Sequence, residues 1–253
     1  MKIAVCIKQV VTREWQLRVN DQKTWIRDQD ASFELNEPDA YALEEALRLK
    51  EKHGGEVLVC SAGPARATQV IREALARGAD RAIHVEADSL ATADANAVAA
   101  ALADALKEEA VDLVLTGLQS DDQGFGQVGV VLAEKLGMPH ATIIMEVQKT
   151  DAGLKVKREL EGGWFQWVAL PLPALLTIQS GINQLRYATL KGIMAAKKKE
   201  IRKVTPAAAA APAQRITSIY FPEKGKKTQM LPGAPAEAAK ELVKRLREEA
   251  RAL

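Results

Sequence analysis

The sequence has little of what marks secreted or nucleic-acid-binding proteins. Aromatic residues make up 4% of its 253 residues, and its two cysteines, Cys6 and Cys60, lie inside apolar runs. Cysteines in that setting indicate no disulfide framework and fit a reducing compartment. Lysine and arginine (35) nearly balance aspartate and glutamate (33), and the resulting net charge of +2 gives no broad case for nucleic-acid binding.

Long apolar runs are also missing. No stretch reaches the ~20 apolar residues that a membrane helix needs. Met1 leads directly into the strand-like KIAVCIKQV, without the apolar core of a signal peptide. We therefore expect a cytoplasmic protein that does not insert into a membrane.

Groups that could carry out catalysis are few and scattered. The histidines are His53, His84 and His140, and the adjacent carboxylates are Glu44-Glu45 and Asp121-Asp122. No metal-ligand spacing links the histidines, no Ser/His/Asp or Cys/His set can be assembled, and neither carboxylate pair has a complementary acid. We expect structural histidines, no metal site and no catalytic residue, and therefore no bond-making chemistry in this chain.

What the sequence does have is an alternation of strand-like and helix-like segments. Apolar runs rich in β-branched residues occur at 3–7, 56–61, 81–85 and 113–116, and segments of helical periodicity at 39–53, 65–77 and 93–109. This order predicts an α/β fold, a mostly parallel sheet with helices on both faces. Asn36 is the predicted N-cap of the first helix.

Two later segments depart from the alternation. Residues 142–177 hold alternating patches split by Gly162-Gly163, which predict a β-hairpin segment added to the core. After Lys203, the proline-bounded VTPAAAAAPAQ predicts a linker, and the pattern of residues 236–253 predicts a short amphipathic helix. The predicted organisation is an α/β domain over residues 1–203 and a linker with a C-terminal arm over residues 204–253.

The loop GLQSDDQGFGQVG, residues 117–129, is the candidate binding site. It follows the strand-like VDLVLT and leads into the helical VGVVLAEKLG, so it lies where open α/β sheets bind ligands. Its glycines permit close backbone approach, and the N–H groups of Gly126, Gln127 and Val128 can point at a phosphate near the helix N-terminus. Ser120 and Gln127 can add side-chain hydrogen bonds.

The acidic part of this loop fits a nucleotide less directly. Asp121 and Asp122 would repel phosphate, so they are expected to accept from a ribose, a backbone amide or an adenine amine. The spacing matches neither the P-loop nor the dinucleotide fingerprint. A plain turn that caps a helix explains the same residues equally well.

A second stretch resembles a known family. GINQLRYATLKGIMAAKKK, residues 181–199, is similar to the RYATLxxIMxAKKK signature of the β subunit of electron transfer flavoproteins. Further segments resemble the same family in order along almost the whole chain: AVCIKQV, LNEPDAYALEEALRLKE, SAGPARA, LARGADRAIHV, VDLVLTGLQSDDQ, VKRELEGG, LPALLTIQSGIN and YFPEKGKK.

The resemblance implies a fold, cofactors and partners. The fold would be akin to adenine-nucleotide α-hydrolases, and residues 1–203 would bind a structural AMP. The chain would form a heterodimer with an α subunit that holds most of a redox-active FAD, and the arm would pack on that subunit. Electrons would come from flavin-containing dehydrogenases, which dock transiently, and pass to the respiratory chain.

By position, the resemblance also assigns residues to these tasks. The AMP site would comprise Cys6, Asn36, Glu37, Pro38, Asp39, Ala62, Gly117, Gln119, Ser120, Asp122, Gly124, Gly126, Gln127 and Val128. Dehydrogenases would be recognised by the loop 181–199, with Leu190 as the anchor and Tyr187, Ile193 and Met194 beside it. Without the resemblance, Leu190 would be interpreted as a core residue at a helix start.

The chain departs from the family pattern at several positions. It has Gly126-Gln127-Val128 where many relatives have Asn-Gln-Thr, so backbone donors would hold the phosphate. Arg13 and Pro38 align near positions where relatives place aromatic residues against the flavin. Leu185 replaces the usual proline before Arg-Tyr, which removes one source of rigidity. The run 197–199 is expected to be a solvated helix end.

Two alternatives stay open. The chain could hold a second FAD in place of AMP, as in the flavin-bifurcating branch, toward which GQVGVVLAEKLGMP leans, whereas LNEPDAY and GLQSDDQ look like ordinary members. It could also be a stand-alone nucleotide-binding domain of similar fold.

Overall fold

The computed structural model describes residues 1–206, 212–222, 225 and 228–252. The strands are β1 (Lys2–Cys6), β2 (Gln9–Val11), β3 (Phe33–Leu35), β4 (Glu56–Gly63), β5 (Arg81–Glu86), β6 (Leu113–Gly117), β7 (His140–Thr150), β8 (Gly153–Glu159), β9 (Phe165–Leu170), β10 (Ala174–Ile178) and β11 (Ile201–Val204). The helices are α1 (Glu37–His53), α2 (Thr68–Arg77), α3 (Ala95–Leu106), α4 (Val128–Leu136), α5 (Leu190–Ala196) and α6 (Pro235–Glu248).

One large sheet organises the described chain. Its strand order is β11-β5-β4-β1-β6-β10-β7-β8-β9, and β2 pairs with β3 in a separate antiparallel ribbon. Every neighbouring pair from β11 to β7 is parallel, whereas β8 and β9 join antiparallel at the end. The predicted mostly parallel α/β fold is therefore confirmed.

Both faces of the parallel strands are apolar and buried. In β1, Ile3 and Val5 pack into the cluster that contains α1 and α2, whereas Ala4 and Cys6 point into the cluster that contains α3 and α4. Side chains alternate between faces along a strand, so a run that is apolar at every position covers both sides. This explains why the β-branched runs could be recognised in the sequence.

The segment 142–177 differs from its prediction in one respect. β8 and β9 pair antiparallel at the sheet edge, but Ala174–Ile178 forms β10, which lies between β6 and β7 and is buried throughout. Its LLTI run pairs with β6, a strand far away in sequence. This last part of the segment is thus a central strand and no addition to the core.

The described chain divides into two compact units, Met1–Ile219 and Tyr220–Leu253. The second unit contains α6, which ends at Glu248, so the predicted continuation of this helix over residues 249–252 is wrong. Residues 207–211 of the predicted linker, residues 223–224 and 226–227 of YFPEKGKK, and residue 253 lie outside the described residues. Among the described helices, none is long and apolar enough to span a membrane.

Candidate functional site

The loop 117–129 lies where the strand order reverses. From β1, the strands β4 and β5 extend the sheet in one direction, and β6 and β10 extend it in the other. Cys6 at the end of β1 is the register partner of Thr116, and the loop starts at the next residue. Crevices at such a reversal, beyond the carboxyl ends of the strands, are where open α/β sheets bind ligands.

Asp39 ties the ends of β1 and β6 to the start of α1. Its carboxylate accepts the backbone N–H of Lys8 at 2.8 Å and that of Gly117 at 2.9 Å. Burial raises the pKa of Asp39 to about 7, although the two N–H donors act in the opposite direction. A Cβ on Gly117 would lie 2.5 Å from the Asp39 carboxylate, so this close approach requires glycine.

Asn36 has a different role from the predicted one. It occupies the N-cap position of α1, but its side chain makes no capping hydrogen bond. Instead, its Oδ1 accepts the N–H of Asp121 at 2.9 Å, and its Nδ2 donates to the Gln119 carbonyl at 3.0 Å. Asn36 therefore holds the loop in place.

The loop carboxylates are neutralised by cations of the chain itself. The Lys8 ammonium contacts Asp122 at 2.7 Å and Ser120 at 3.3 Å. Arg13 contacts Asp121 at 3.3 Å, and Asp121 also accepts the N–H of Glu37 at 3.4 Å. Asp121 thus accepts a backbone amide, which is one of the roles expected for the acidic residues of this loop. Because Arg13 offsets its charge, Asp121 repels an anion less strongly.

The end of the loop exposes a helix start. Gln127 is the N-cap of α4, and its side chain makes no capping hydrogen bond. The first N–H groups of a helix have no intrahelical acceptor, so they can bind an anion. Gly126, with φ of 62°, has the left-handed conformation that glycine favours, and a Cβ on Gly129 would lie 2.7 Å from the Thr116 hydroxyl.

A cavity of about 100 Å³ lies between these elements. The predicted residues that line it are Cys6, Asn36, Asp39, Ala62, Gly117, Gln119, Ser120, Gly126, Gln127 and Val128. Glu37, Pro38, Asp122 and Gly124 do not line it. The Lys8 ammonium and the N–H groups at the start of α4 therefore border one partly open cavity, and this donor set suits a nucleotide phosphate.

Several lining residues were missed from the sequence. Lys8 follows β1 by two positions, and Leu90, Ala91 and Ala93 follow the carboxyl end of β5. Their position after a parallel strand was the available signal. A neighbouring cavity of about 600 Å³ shares Leu90, Ala93, Gln123 and Phe125 with the first, so the site has room to extend.

The predicted docking residues cluster around the start of α5. Thr189 caps this helix by accepting the N–H of Gly192 at 3.0 Å. The exposed fractions are 90% for Tyr187, 84% for Leu190, 61% for Met194 and 44% for Ile193. Leu190 is therefore no core residue, and the four side chains form an apolar surface.

Lys199 does not behave as a solvated helix end. Its ammonium donates to the carbonyls of Leu75 at 3.1 Å and Ala79 at 2.5 Å, at the end of α2. Elsewhere, His84 is fully buried, with its Nε2 3.2 Å from the Gly63 carbonyl, and burial lowers its pKa. In the part of the chain that the structure describes, no group of His, Cys, Asp or Glu could hold a metal ion.

A mostly parallel sheet with helices on both faces and a cavity at its reversal point places the chain in the α/β class. Comparison with known sequences specifies the family. The family model "Electron transfer flavoprotein domain" matches residues 24–209. The chain is 38% identical to the electron transfer flavoprotein subunit beta of Methylophilus methylotrophus, with 98% of each chain covered.

Two further relatives carry the same name. The subunit beta of Bacillus subtilis is 36% identical over the whole of both chains, and that of Homo sapiens is 36% identical over 98% of this chain and 97% of its own. The chain therefore belongs to the electron transfer flavoprotein family, and the relatives compared are its beta subunits.

Proposed function

We propose that the chain is the β subunit of a heterodimeric electron transfer flavoprotein that binds AMP, completes the FAD site of an α subunit and docks dehydrogenases. It accepts electrons from them for the respiratory chain and makes no bonds itself. The observation that carries the proposal is that Lys8 and the start of α4, whose N-cap side chain makes no capping hydrogen bond, line the same cavity. Membership of the family supports the electron-carrier role.

The loop cavity together with the larger cavity that adjoins it supports AMP as the ligand of this subunit, because the loop cavity alone is smaller than a nucleotide pocket. The uncapped N–H groups of α4 and the Lys8 ammonium suit a phosphate. Cys6 and Ala62 lie at the ends of neighbouring strands and supply an apolar wall for an adenine. Bound AMP would connect strand ends, loop and helix, so its role in this subunit is structural, whereas FAD supplies the redox chemistry at the subunit interface.

The unit Tyr220–Leu253 supports the proposed arm. It has large apolar side chains that are exposed, and α6 has no buried residue. These side chains are Tyr220, Phe221, Met230, Leu242 and Val243. A segment with so much exposed apolar surface suits a partner surface, and we assign that surface to the α subunit.

The apolar surface around Leu190 supports docking of dehydrogenases. An exposed leucine that enters a pocket contributes roughly 1.5 to 3 kcal/mol when fully enclosed. A single small anchor orients a partner without a large interface, and transient complexes bury little area. This suits a carrier that must release each dehydrogenase after electron transfer.

The nucleotides can be identified directly. The chain is co-expressed with its α subunit, the purified complex is denatured, and the released nucleotides are quantified by mass. One FAD and one AMP per heterodimer are expected. A complex without AMP would refute the proposed ligand, and a colourless chain that purifies alone would favour the stand-alone domain.

One observation favours a second candidate function. The adjoining cavity of about 600 Å³ falls within the range of roughly 300–1,000 Å³ that is typical of ligand pockets. A second FAD, with its adenine part in the loop cavity, could extend into this space. Two FAD and no AMP in the same mass measurement would establish this flavin-bifurcating type.

Docking has its own test. Leu190→Ala removes the anchor without touching the cavity, so flavin and AMP content should stay normal while the rate of reduction by a partner dehydrogenase falls. An unchanged rate would remove the docking role.

A further inference from the structure

We infer that Arg186 and Glu44 are positioning residues for docking, because they clamp the backbone just before the Leu190 surface onto helix α1. This inference rests on the docking role proposed above. The resemblance assigned no role to either residue: Arg186 is the first residue of the RYATL stretch, and Glu44 lies in the middle of α1.

The clamp is a dense set of charged hydrogen bonds. Arg186 Nε and Nη2 donate to the two Glu44 oxygens at 2.7 and 3.1 Å, and the Arg186 backbone N–H reaches the same carboxylate at 3.3 Å. Arg186 also contacts Glu51, about two helical turns further along α1, at 2.5 and 3.1 Å. Such two-pronged contacts fix orientation as well as distance.

Glu44 is buried, and this separates it from any partner surface. Its side chain is 5% exposed and also accepts from Arg48 Nε at 2.8 Å. Burial alone would raise the pKa of Glu44, but the bonds from Arg186 and Arg48 lower it, so the carboxylate stays charged. A buried charge with these donors holds its partners firmly.

Neighbouring contacts extend the clamp along the same helix. Arg48 donates to the Gln184 carbonyl at 2.9 Å, and Asn183 donates to the Tyr41 carbonyl at 3.2 Å. Leu185, between these residues and Arg186, packs against the core. The segment before Leu190 is thus held to the body of the protein by successive contacts.

The backbone is fixed again just after Leu190. A Cβ on Gly192 would lie 2.3 Å from the Ala76 carbonyl, so α5 lies directly against α2. Arg72 donates to the carbonyls of Ala196 at 2.5 Å and Lys199 at 2.8 Å. Leu190 therefore lies between two fixed points of the backbone, the Arg186–Glu44 clamp and the contact of α5 with α2. Without the clamp, the Leu190 side chain would occupy a wider range of positions.

The test uses the complete α/β complex. Four variants are compared with the wild type: Glu44→Gln, Arg186→Gln, Leu190→Ala and the double variant Arg186→Gln/Leu190→Ala. Lys107→Gln, which breaks an exposed ion pair with Asp104, is the control. The readouts are KM and kcat with a partner dehydrogenase, AMP and FAD content, and hydrogen exchange of residues 183–193.

We expect Glu44→Gln and Arg186→Gln each to raise KM roughly tenfold. Nucleotide content and kcat should stay within about twofold of the wild type, and exchange of residues 183–193 should speed up. Adding Arg186→Gln to Leu190→Ala should raise KM no further, because the clamp acts through Leu190. The control should match the wild type.

Each contrary result has a distinct meaning. If Leu190→Ala raises KM but Glu44→Gln and Arg186→Gln do not, the clamp is refuted and docking stands. If the double variant multiplies the two single effects, Arg186 contacts the partner itself and the positioning role is wrong. If Leu190→Ala leaves KM unchanged, docking at this surface fails and the inference fails with it.

Discussion

The amino ends of the parallel strands form one edge of the sheet and their carboxyl ends form another, and these two edges are built in opposite ways. At the amino edge, Glu109 receives Lys2 at 3.0 Å, Arg81 at 2.6 Å and Arg202 at 2.8 Å, so the charges at the starts of three strands meet one carboxylate. At the carboxyl edge, the start of α4 has no cap and borders a cavity. Charges pair with one another at both edges, as the Lys8–Asp122 and Arg13–Asp121 contacts show, but only the carboxyl edge also leaves the first N–H groups of a helix available to a ligand.

The contrast indicates which residues serve stability and which serve binding. A satisfied ion cluster contributes to folding and needs no ligand. Uncapped N–H groups contribute little to folding until an anion binds, after which ligand binding itself stabilises the fold. Variants at the two edges should therefore separate the free energy of unfolding from nucleotide content.

Gly117→Ala should have the largest effect, at the carboxyl edge. The added Cβ would lie 2.7 Å from the Asp39 backbone nitrogen, so the start of α1 must move. We expect the free energy of unfolding to fall by about 4 kcal/mol. We also expect the purified complex to contain no AMP. Urea unfolding and nucleotide mass measure the two effects.

Gly63→Ala is the matched control for this change. Its added Cβ would meet only the Ala67 Cβ, at 3.8 Å, which is an ordinary contact. Equal losses in the two variants would show that glycine at position 117 has no special role.

Asp39→Asn should have the second-largest effect. The amide has one acceptor oxygen, so either the Lys8 or the Gly117 N–H loses its bond inside the protein. We expect a loss of about 2 kcal/mol and weaker AMP retention. Asp104→Asn, on an exposed helical surface, should change neither quantity, and normal AMP retention in Asp39→Asn would contradict the role given to this carboxylate.

Glu109→Gln should act on stability alone. Hydrogen bonds from Arg81, then from Lys2, lower the pKa of Glu109 to about 2, although burial opposes them. A folded pKa below the unfolded value means that the stabilisation is complete above about pH 4.5 and is lost as the pH falls toward 2. At neutral pH we expect a loss of about 1 to 2 kcal/mol.

The measurement is the unfolding midpoint from pH 7 to pH 2, with AMP content at pH 7. The difference in unfolding midpoint between wild type and Glu109→Gln should disappear toward pH 2, and the AMP content of the variant should be normal. Glu108→Gln changes the exposed neighbour and should track the wild type throughout. A gap that persists at pH 2 would mean that charge is not the cause.

Lys8→Gln should have the smallest effect on folding. The Lys8 ammonium is partly exposed and contacts Asp122, so the loss of stability should stay below about 1 kcal/mol. AMP affinity should fall severalfold, because a cation is removed from the phosphate side of the cavity. Titration with AMP checks this, and Lys52→Gln is the control; equal affinities would place the phosphate elsewhere.

Much of this arrangement was predictable because its signals are local. The runs of β1, β4, β5 and β6 are apolar at successive positions, and their helices follow each in turn, so alternation alone predicted the parallel sheet. The loop 117–129 was identified because it starts at the end of a strand and contains three glycines within six residues.

What the sequence did not predict depends on contacts between distant residues. The central place of β10 is set by its pairing with β6, and no periodicity encodes that partner. Asn36 looks like any N-cap until Gln119 and Asp121 come within reach of its side chain. The Arg186 clamp joins residues 142 positions apart, so only the folded chain brings them together.

Helix α1 supports both proposed activities. Its first turn carries Asp39 at the nucleotide loop, and its middle and last turns carry Glu44 and Glu51 at the docking segment. At about 1.5 Å per residue, α1 is a rod along which Asp39 lies roughly 8 Å from Glu44 and roughly 18 Å from Glu51. If binding at one end shifts or steadies this rod, thermodynamic reciprocity requires dehydrogenases to change the affinity for nucleotide by the same factor as nucleotide changes theirs.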